Sequence, residues 1–383
     1  GMLHHALRIQ SGEGIYVPPS VEFIPYLYTP LYPALLALFG GAFGITYALG
    51  RAISVLSLLA IAIVTSLHVS SRRHEHIARG PVWAGIALGL GLFAAAYPTV
   101  DGWYDLVRAD TLFLFMVTAA IAGLPGWARS GTGIRGHGKV AAGAALLALA
   151  FFCKQTGILY VALGGLIVLV INWRRLPTFV ATAGVIGLGG TWLLQRASDG
   201  WFWTYTSEIH RAHDFHMPRF WDAFVHILWR PELHGRKYPP LGAAISIVIV
   251  VALIAVAITW ARRRKLPKQA HPFLLWTATY LVSTIVGAIG WGTEFAHFNA
   301  YMPAFLHGAL AAGAAIPVVY TCARLNFERD PRNEYYGLAA GLALASMLAV
   351  SCYWARWEPR KWKPTPADVA AGGEVHHRVG TVL

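Results

Sequence analysis

The feature that most constrains this chain is a series of ten apolar stretches joined by connections of alternating charge. The stretches lie near residues 50–70, 81–97, 111–127, 139–153, 157–172, 178–194, 241–260, 273–290, 302–321 and 337–353. Each approaches the length, roughly 20 residues, that a helix needs to cross a bilayer. The odd-numbered connections carry Arg72, Arg73 and Arg79, then Arg129, Arg135 and Lys139, then Arg174 and Arg175, then Arg262, Arg263, Arg264, Lys265 and Lys268, then Arg324, Arg329 and Arg332. Short basic connections remain on the cytoplasmic side of a membrane. The even-numbered connections must then face the other compartment, and they hold DGWYDLVRAD, KQT, ASDGWFWTYTSEIHRAHDFH and GTEFAHFNAY. The predicted fold is all-α, a polytopic transmembrane helix bundle with its unusual polar clusters outside.

Composition agrees. Of 383 residues 56% are hydrophobic and 13% charged, with a mean hydropathy of +0.51, too little polar surface to keep a globule of this size in water. The formal charge of +13 follows from topology, since 16 of the 31 Lys and Arg lie in those five connections, where anionic lipid headgroups are the counterions. Nucleic-acid binding is therefore not the reading of this basic chain, and the bilayer itself is its first partner. Cys153, Cys322 and Cys352 are scattered in or beside apolar segments and form neither a disulfide framework nor a CxxC metal motif.

Residues 1–30 carry no signal peptide, yet the parity of the connections places them outside. This predicts a chain that lacks an initial span, with 1–30 as part of an external loop. Residues 31–43, LYPALLALFGGAF, are too short to span and read as a juxtamembrane or re-entrant helix at the start of a transmembrane domain over 31–353. That domain includes a long external loop at 196–239. Residues 354–383, polar and rich in Pro and Gly, read as a disordered external tail.

No internal repeat relates the segments. Gly131, Gly133 and Gly136 spell GxGxxG, but in a short basic connection with no preceding strand, so the dinucleotide fingerprint lacks its context. Neither a GxxxxGK[ST] loop nor an Asp-x-Asp pair is present for a nucleotide. In DGWYDLVRAD, Asp101, Asp105 and Arg108 share one face if the stretch is helical, and Asp110 stands before the apolar run as a cap. The functional alternative is a carboxylate and a guanidinium gripping a sugar hydroxyl and a phosphate, because Arg offers a bidentate fork. Lys154, in FFCKQTG, is a cation at an external helix end; it either snorkels or meets a lipid phosphate. Glu294, His297 and Asn299 precede a helix with Pro303 in its first turn, as capping groups or as ligand contacts. His210, His213 and His216, with Asp214, have a metal-like spacing but drift round a helix, and no second cluster completes a site. Trp201, Trp203 and Tyr205 suit a membrane-interface belt.

In chain order, YTPLYPALLALFG, YALGRAISVLSLLAIAIV, WYDLVRADTLFLF, ALAFFCKQTGILY, SDGWFWTYTSEI and HFNAYMPAFLHGAL resemble successive landmarks of bacterial polytopic glycosyltransferases of the GT-C class. The order is similar to that of glycosyltransferase family 39, which contains protein O-mannosyltransferases and aminoarabinose transferases. The resemblance implies a polyprenyl-phosphate-linked sugar as donor, a glycan, lipid or protein acceptor on the same face, and inversion at the anomeric carbon. It adds Tyr28, Tyr32 and Gln155 to the substrate-binding candidates Asp105, Arg108, Asp110, Lys154, Glu294, His297 and Asn299. The family's catalytic base is an acid upstream of the YTPLYP-like landmark. Glu13 and Glu22 are the acids before Tyr28, neither in the family's context, so the base is expected upstream of Gly1. Thr29 stands where the aminoarabinose branch has a lysine, and Asn299-Ala300-Tyr301 replaces an adjacent Asn-Tyr.

Displacement of a sugar from a polyprenyl phosphate builds charge on a departing phosphate, which fixed cations stabilise, and Arg108 and Lys154 are the candidates. Asp105 and Asp110 are then expected to orient the sugar. No cofactor is assigned, and a divalent metal is left open with no ligands to support it. A lipid-linked oligosaccharide flippase or small-solute transporter would instead need ionisable groups near the midplane, where these spans are nearly free of them. A non-catalytic membrane subunit is the third reading.

Overall fold

The computed structural model describes residues 1–70, 79–130, 133–230, 232–233, 236–237 and 239–382. Arg72, Arg73 and Gly131 fall outside them. Two helices, α1 (Met2–Gln10) and α2 (Leu31–Phe43), pack together ahead of the long spans. Then come α3 (Tyr47–Ser70), α4 (Arg79–Ala95), α5 (Asp110–Arg129), α6 (Ile134–Cys153), α7 (Gly157–Asn172) and α8 (Leu176–Ala197). After short helical turns over 201–211, α9 (Met217–Leu228) and a two-residue β ladder (Glu232–Leu233 with Arg236–Lys237), the chain continues as α10 (Leu241–Arg263), α11 (Ala270–Gly292), α12 (Met302–Asn326), α13 (Asn333–Trp354) and α14 (Pro366–Val382).

Among the described residues eight segments are long and apolar enough to cross a membrane. One of them, Gly157–Ala197, runs to 41 residues, which as one unbroken helix at 1.5 Å per residue would be about 60 Å long, twice a bilayer core. It divides at the turn Trp173–Arg175 into α7 and α8. With the shorter apolar α4, the spans follow the ten expected stretches.

Helix α12 is the axis of the bundle, buried along nearly its whole length. Its small residues allow this, because a helix can approach another backbone closely only where side chains are short. A Cβ added to Gly89 of α4 would sit 2.9 Å from the Ala309 carbonyl oxygen. Within the apolar interior a polar chain links four helices: Tyr160 and Ser283 hydroxyls at 2.7 Å, Ser283 to His307 Nδ1 at 2.7 Å, and His307 Nε2 to Thr118 at 3.3 Å. At the basic end Arg175 donates to the carbonyls of Trp127 and Ser130, both at 2.6 Å, satisfying orphan acceptors at the end of α5.

Two expectations are corrected. DGWYDLVRAD is not helical: Asp101 (φ 53°) and Gly102 (φ 72°) both take the left-handed conformation between two short 3-10 turns, Pro98–Val100 and Trp103–Asp105. Asp101, Asp105 and Arg108 therefore do not share a helical face. The tail is not irregular either. Its tryptophans find aromatic partners, with Trp357 stacked on Tyr97 at 4.3 Å, and the stretch beyond Pro366 forms α14.

Candidate active site

The end of the bundle opposite Arg129, Arg175 and Arg263 holds a cavity of about 160 Å³. Its walls come from segments far apart in sequence: Tyr28 ahead of α2, Arg108 and Asp110 at the start of α5, Lys154 at the end of α6, and His297 and Asn299 before α12. Asp110 is not the cap of α5 but its first helical residue, and its carboxylate is turned into the protein. There Oδ1 accepts from Lys154 Nζ at 2.7 Å and from Asn299 Nδ2 at 2.9 Å. The aspartate is 6% exposed, so this is a buried pair whose charge depends on both donors.

Local sequence explains each placement. Lys154 leaves α6 in an extended conformation (φ −155°, ψ 129°), and the chain re-enters helix at Gly157. Only glycine fits there, since a Cβ would lie 2.6 Å from the Phe151 backbone nitrogen. This tight α6–α7 hairpin aims the lysine at the N-terminus of α5, where the helix dipole favours negative charge. Asn299 sits in the 3-10 turn Phe298–Tyr301, and Pro303 occupies the first turn of α12 behind it.

Arg108 is held differently. Its guanidinium lies 4.9 Å over the Trp103 ring, and Trp103 in turn meets the His297 ring at 5.5 Å. No carboxylate accepts from this guanidinium among the described residues, which leaves its fork available to an anion in the cavity. The neighbouring phenol of Tyr26 is pushed well above its ordinary value by burial and by Tyr28 beside it, so it remains a neutral donor, bonded to Met2 Sδ at 3.3 Å. A second cavity of about 630 Å³ adjoins the first, sharing Met2, Tyr26, Tyr28 and Arg108 and adding His4, His5 and Glu22.

Four sequence candidates lie elsewhere. Asp105 is paired with Arg51 and accepts the Tyr97 hydroxyl at 3.1 Å, so its carboxylate serves the loop and not the cavity. Burial and this carboxylate push the Tyr97 phenol up to about 12. Tyr32 is fully buried and donates to the Gly50 carbonyl at 3.0 Å, tying α2 to α3. Gln155 donates to the carbonyls of Leu27 and Thr206 at 3.3 and 3.4 Å, joining two loops behind the site. Glu294 is fixed through its backbone N–H to the Asp214 carbonyl, and its side chain does not line the cavity. Of the histidine triplet, His210 Nε2 donates to the Leu27 carbonyl at 2.6 Å, and His213 packs edge-on both to the His210 ring at 5.5 Å and to Phe295 at 5.4 Å. Among the described residues no three His, Cys, Asp or Glu side chains are placed to hold a metal ion.

Sequence reasoning missed Tyr26, Trp103 and Phe295 as lining residues. Trp103 was within the quoted WYDLVRAD landmark, but nothing local says that its ring supports Arg108. Phe295 takes a positive φ of 59°, a conformation invisible in composition.

Residues 26–289, more than half of the chain, match glycosyltransferase family 87. The chain belongs to that family. No curated protein matches the sequence significantly. Among solved structures this family 87 chain is similar to ArnT from Cupriavidus metallidurans bound to undecaprenyl phosphate, with a TM-score of 0.58 at 13% identity, covering 92% of this chain and 70% of that one. The apo ArnT structure gives 0.56 at 14% identity with the same coverage. The family 87 protein thus has the GT-C fold and is a multi-pass membrane glycosyltransferase. The likeness of its motifs to family 39 holds at the level of the GT-C class, while the family itself is 87. The carrier and subunit readings gain no support.

Proposed function

We propose that this family 87 chain transfers a sugar from a polyprenyl-phosphate donor to an acceptor hydroxyl on the extracytoplasmic face of the cell membrane, with inversion, and that Arg108 and Lys154 meet the donor phosphate. The observation that carries this reading is the convergence of Arg108, Lys154 and the N-terminus of α5 on one cavity at the end opposite the basic connections. A departing phosphate gains charge as the glycosidic bond breaks, and cations fixed in advance stabilise that charge without reorganising. Asp110 holds the lysine in place and, engaged by Lys154 and Asn299, is a positioning carboxylate rather than a proton acceptor. The undecaprenyl phosphate bound in the similar ArnT structure supports a lipid-phosphate donor. The motif likeness to family 39 supports the same donor chemistry. The acceptor is a hydroxyl of a glycan, lipid or protein, and a metal is given no role.

Arg108→Gln tests the reading. Transfer in reconstituted liposomes should fall about a hundredfold, the effect of roughly 3 kcal/mol of lost transition-state contact. Binding of tritiated undecaprenyl phosphate should weaken in parallel, with thermal stability in detergent unchanged. Arg108→Lys should recover part of both, keeping the charge and losing the fork. Parental transfer and binding in Arg108→Gln would sink the phosphate assignment.

A further inference from the structure

The loop that presents Arg108 is held from outside by the end of the chain. Trp357, just beyond α13, stacks on Tyr97 with ring planes 16° apart, and its Nε1–H donates to the Ala94 carbonyl at 3.0 Å. Trp362, in the turn Pro359–Trp362, meets the edge of Tyr97 at 5.2 Å and roofs Gly102, where a Cβ would come within 3.2 Å of the indole. Tyr97 is the hub of this contact. On its inner side it packs edge-on to Tyr104 at 5.6 Å and donates to Asp105. Between the two sides run Asp101 and Gly102, consecutive left-handed residues. An aspartate at positive φ is a minor conformer, which persists where neighbours over-determine it. The residue after Gly102 is Trp103, the platform under Arg108 and the neighbour of His297.

We infer that Trp357 and Trp362 are positioning residues for sugar transfer, a C-terminal strap that clamps the 97–108 loop so that Trp103 aims the Arg108 guanidinium at the donor phosphate. The inference rests on the reading of Arg108 given under the proposed function. Without the strap Tyr97 loses both outer neighbours, the left-handed reversal is free to relax, and Trp103 ceases to hold one orientation. A charge contact is worth most when its geometry is set before the ligand arrives, and a shift of about 1 Å at such a site is enough to matter.

The test uses the full chain in liposomes and compares Trp357→Ala, Trp362→Ala, Trp357→Phe, Arg108→Gln and the Arg108→Gln/Trp357→Ala pair. Each alanine variant should raise the KM for the lipid-linked donor and weaken undecaprenyl phosphate binding by about tenfold, the upper range for loss of an aromatic pair. Trp357→Phe, which keeps the stack, should recover most of it. In the double variant the tryptophan change should add almost nothing, because the guanidinium it positions is gone. A merely structural strap would lower the amount of folded protein while leaving donor KM at the parental value, and that outcome overturns the inference. So does a double variant that loses the product of the two single effects. Should Trp357→Ala not accumulate, Trp362→Leu carries the same expectations. If Arg108→Gln weakens binding and the tryptophan variants do not, the strap alone is wrong; if Arg108→Gln itself binds normally, the phosphate reading falls and takes the strap with it.

Discussion

Replacing Lys154 by Gln removes the cation from an aspartate side chain that is 9% exposed and leaves Asn299 as its remaining donor. Breaking a buried ion pair from one side costs about 3–5 kcal/mol. The lysine side chain, however, is 22% exposed toward the cavity, so water partly replaces it, and about 2–3 kcal/mol is the expected loss. Adding Asp110→Asn neutralises the stranded charge. The double variant should regain most of that stability, a coupling of about 2 kcal/mol, while an amide at 110 still faces Asn299. Binding of undecaprenyl phosphate should behave oppositely: weakened in Lys154→Gln and not regained in the double variant, because the cation is still missing. Thermal unfolding in detergent, followed for the parent, both single variants and the pair, reads the first quantity, and tritiated lipid binding reads the second. A Lys154→Gln variant as stable as the parent would show that the pair is not a buried one. Recovery of binding together with stability would show that Lys154 serves Asp110 and not the donor.

Orientation is checked with single cysteines at the fully exposed positions Val21 and Ile134: a membrane-impermeant thiol reagent should label the first from outside opened-envelope cells and not the second. Gly89→Val should destabilise the bundle by at least 1–3 kcal/mol, since its side chain would drive into the α12 backbone, measured as a lower unfolding temperature. His210 is held below its ordinary value of 6.5, chiefly by burial and further by His213, with the Leu27 carbonyl opposing. The unfolded chain therefore binds this proton more readily, so the stabilisation from neutral His210 is present above pH 6.5 and lost as pH falls below it. His210→Gln should flatten the acid side of the unfolding-temperature profile; an unchanged slope would refute that assignment. Ser283→Ala should cost about 1–3 kcal/mol by leaving His307 and Tyr160 without their shared partner inside the bundle, again read by unfolding temperature.

The spans were legible in the sequence because they depend on a local quantity, the length of an apolar run against bilayer thickness. The same locality marked Arg108, Lys154, His297 and Asn299, polar groups at helix ends on the side where topology asks for none. Their meeting in one cavity is a tertiary fact. So are the engagement of Asp110 by Lys154 across 44 positions and by Asn299 across 189, the diversion of Asp105 to Arg51, and the docking of Trp357 on Tyr97. Such pairings are set by how each helix is rotated and how closely it crosses its neighbours, which here follows from small residues such as Gly89 against Ala309. No pattern within one helix records the face its neighbour presents, and the left-handed turn at Asp101 and Gly102, closed locally by backbone bonds to Pro98 and Tyr97, is covered by the distant Trp362.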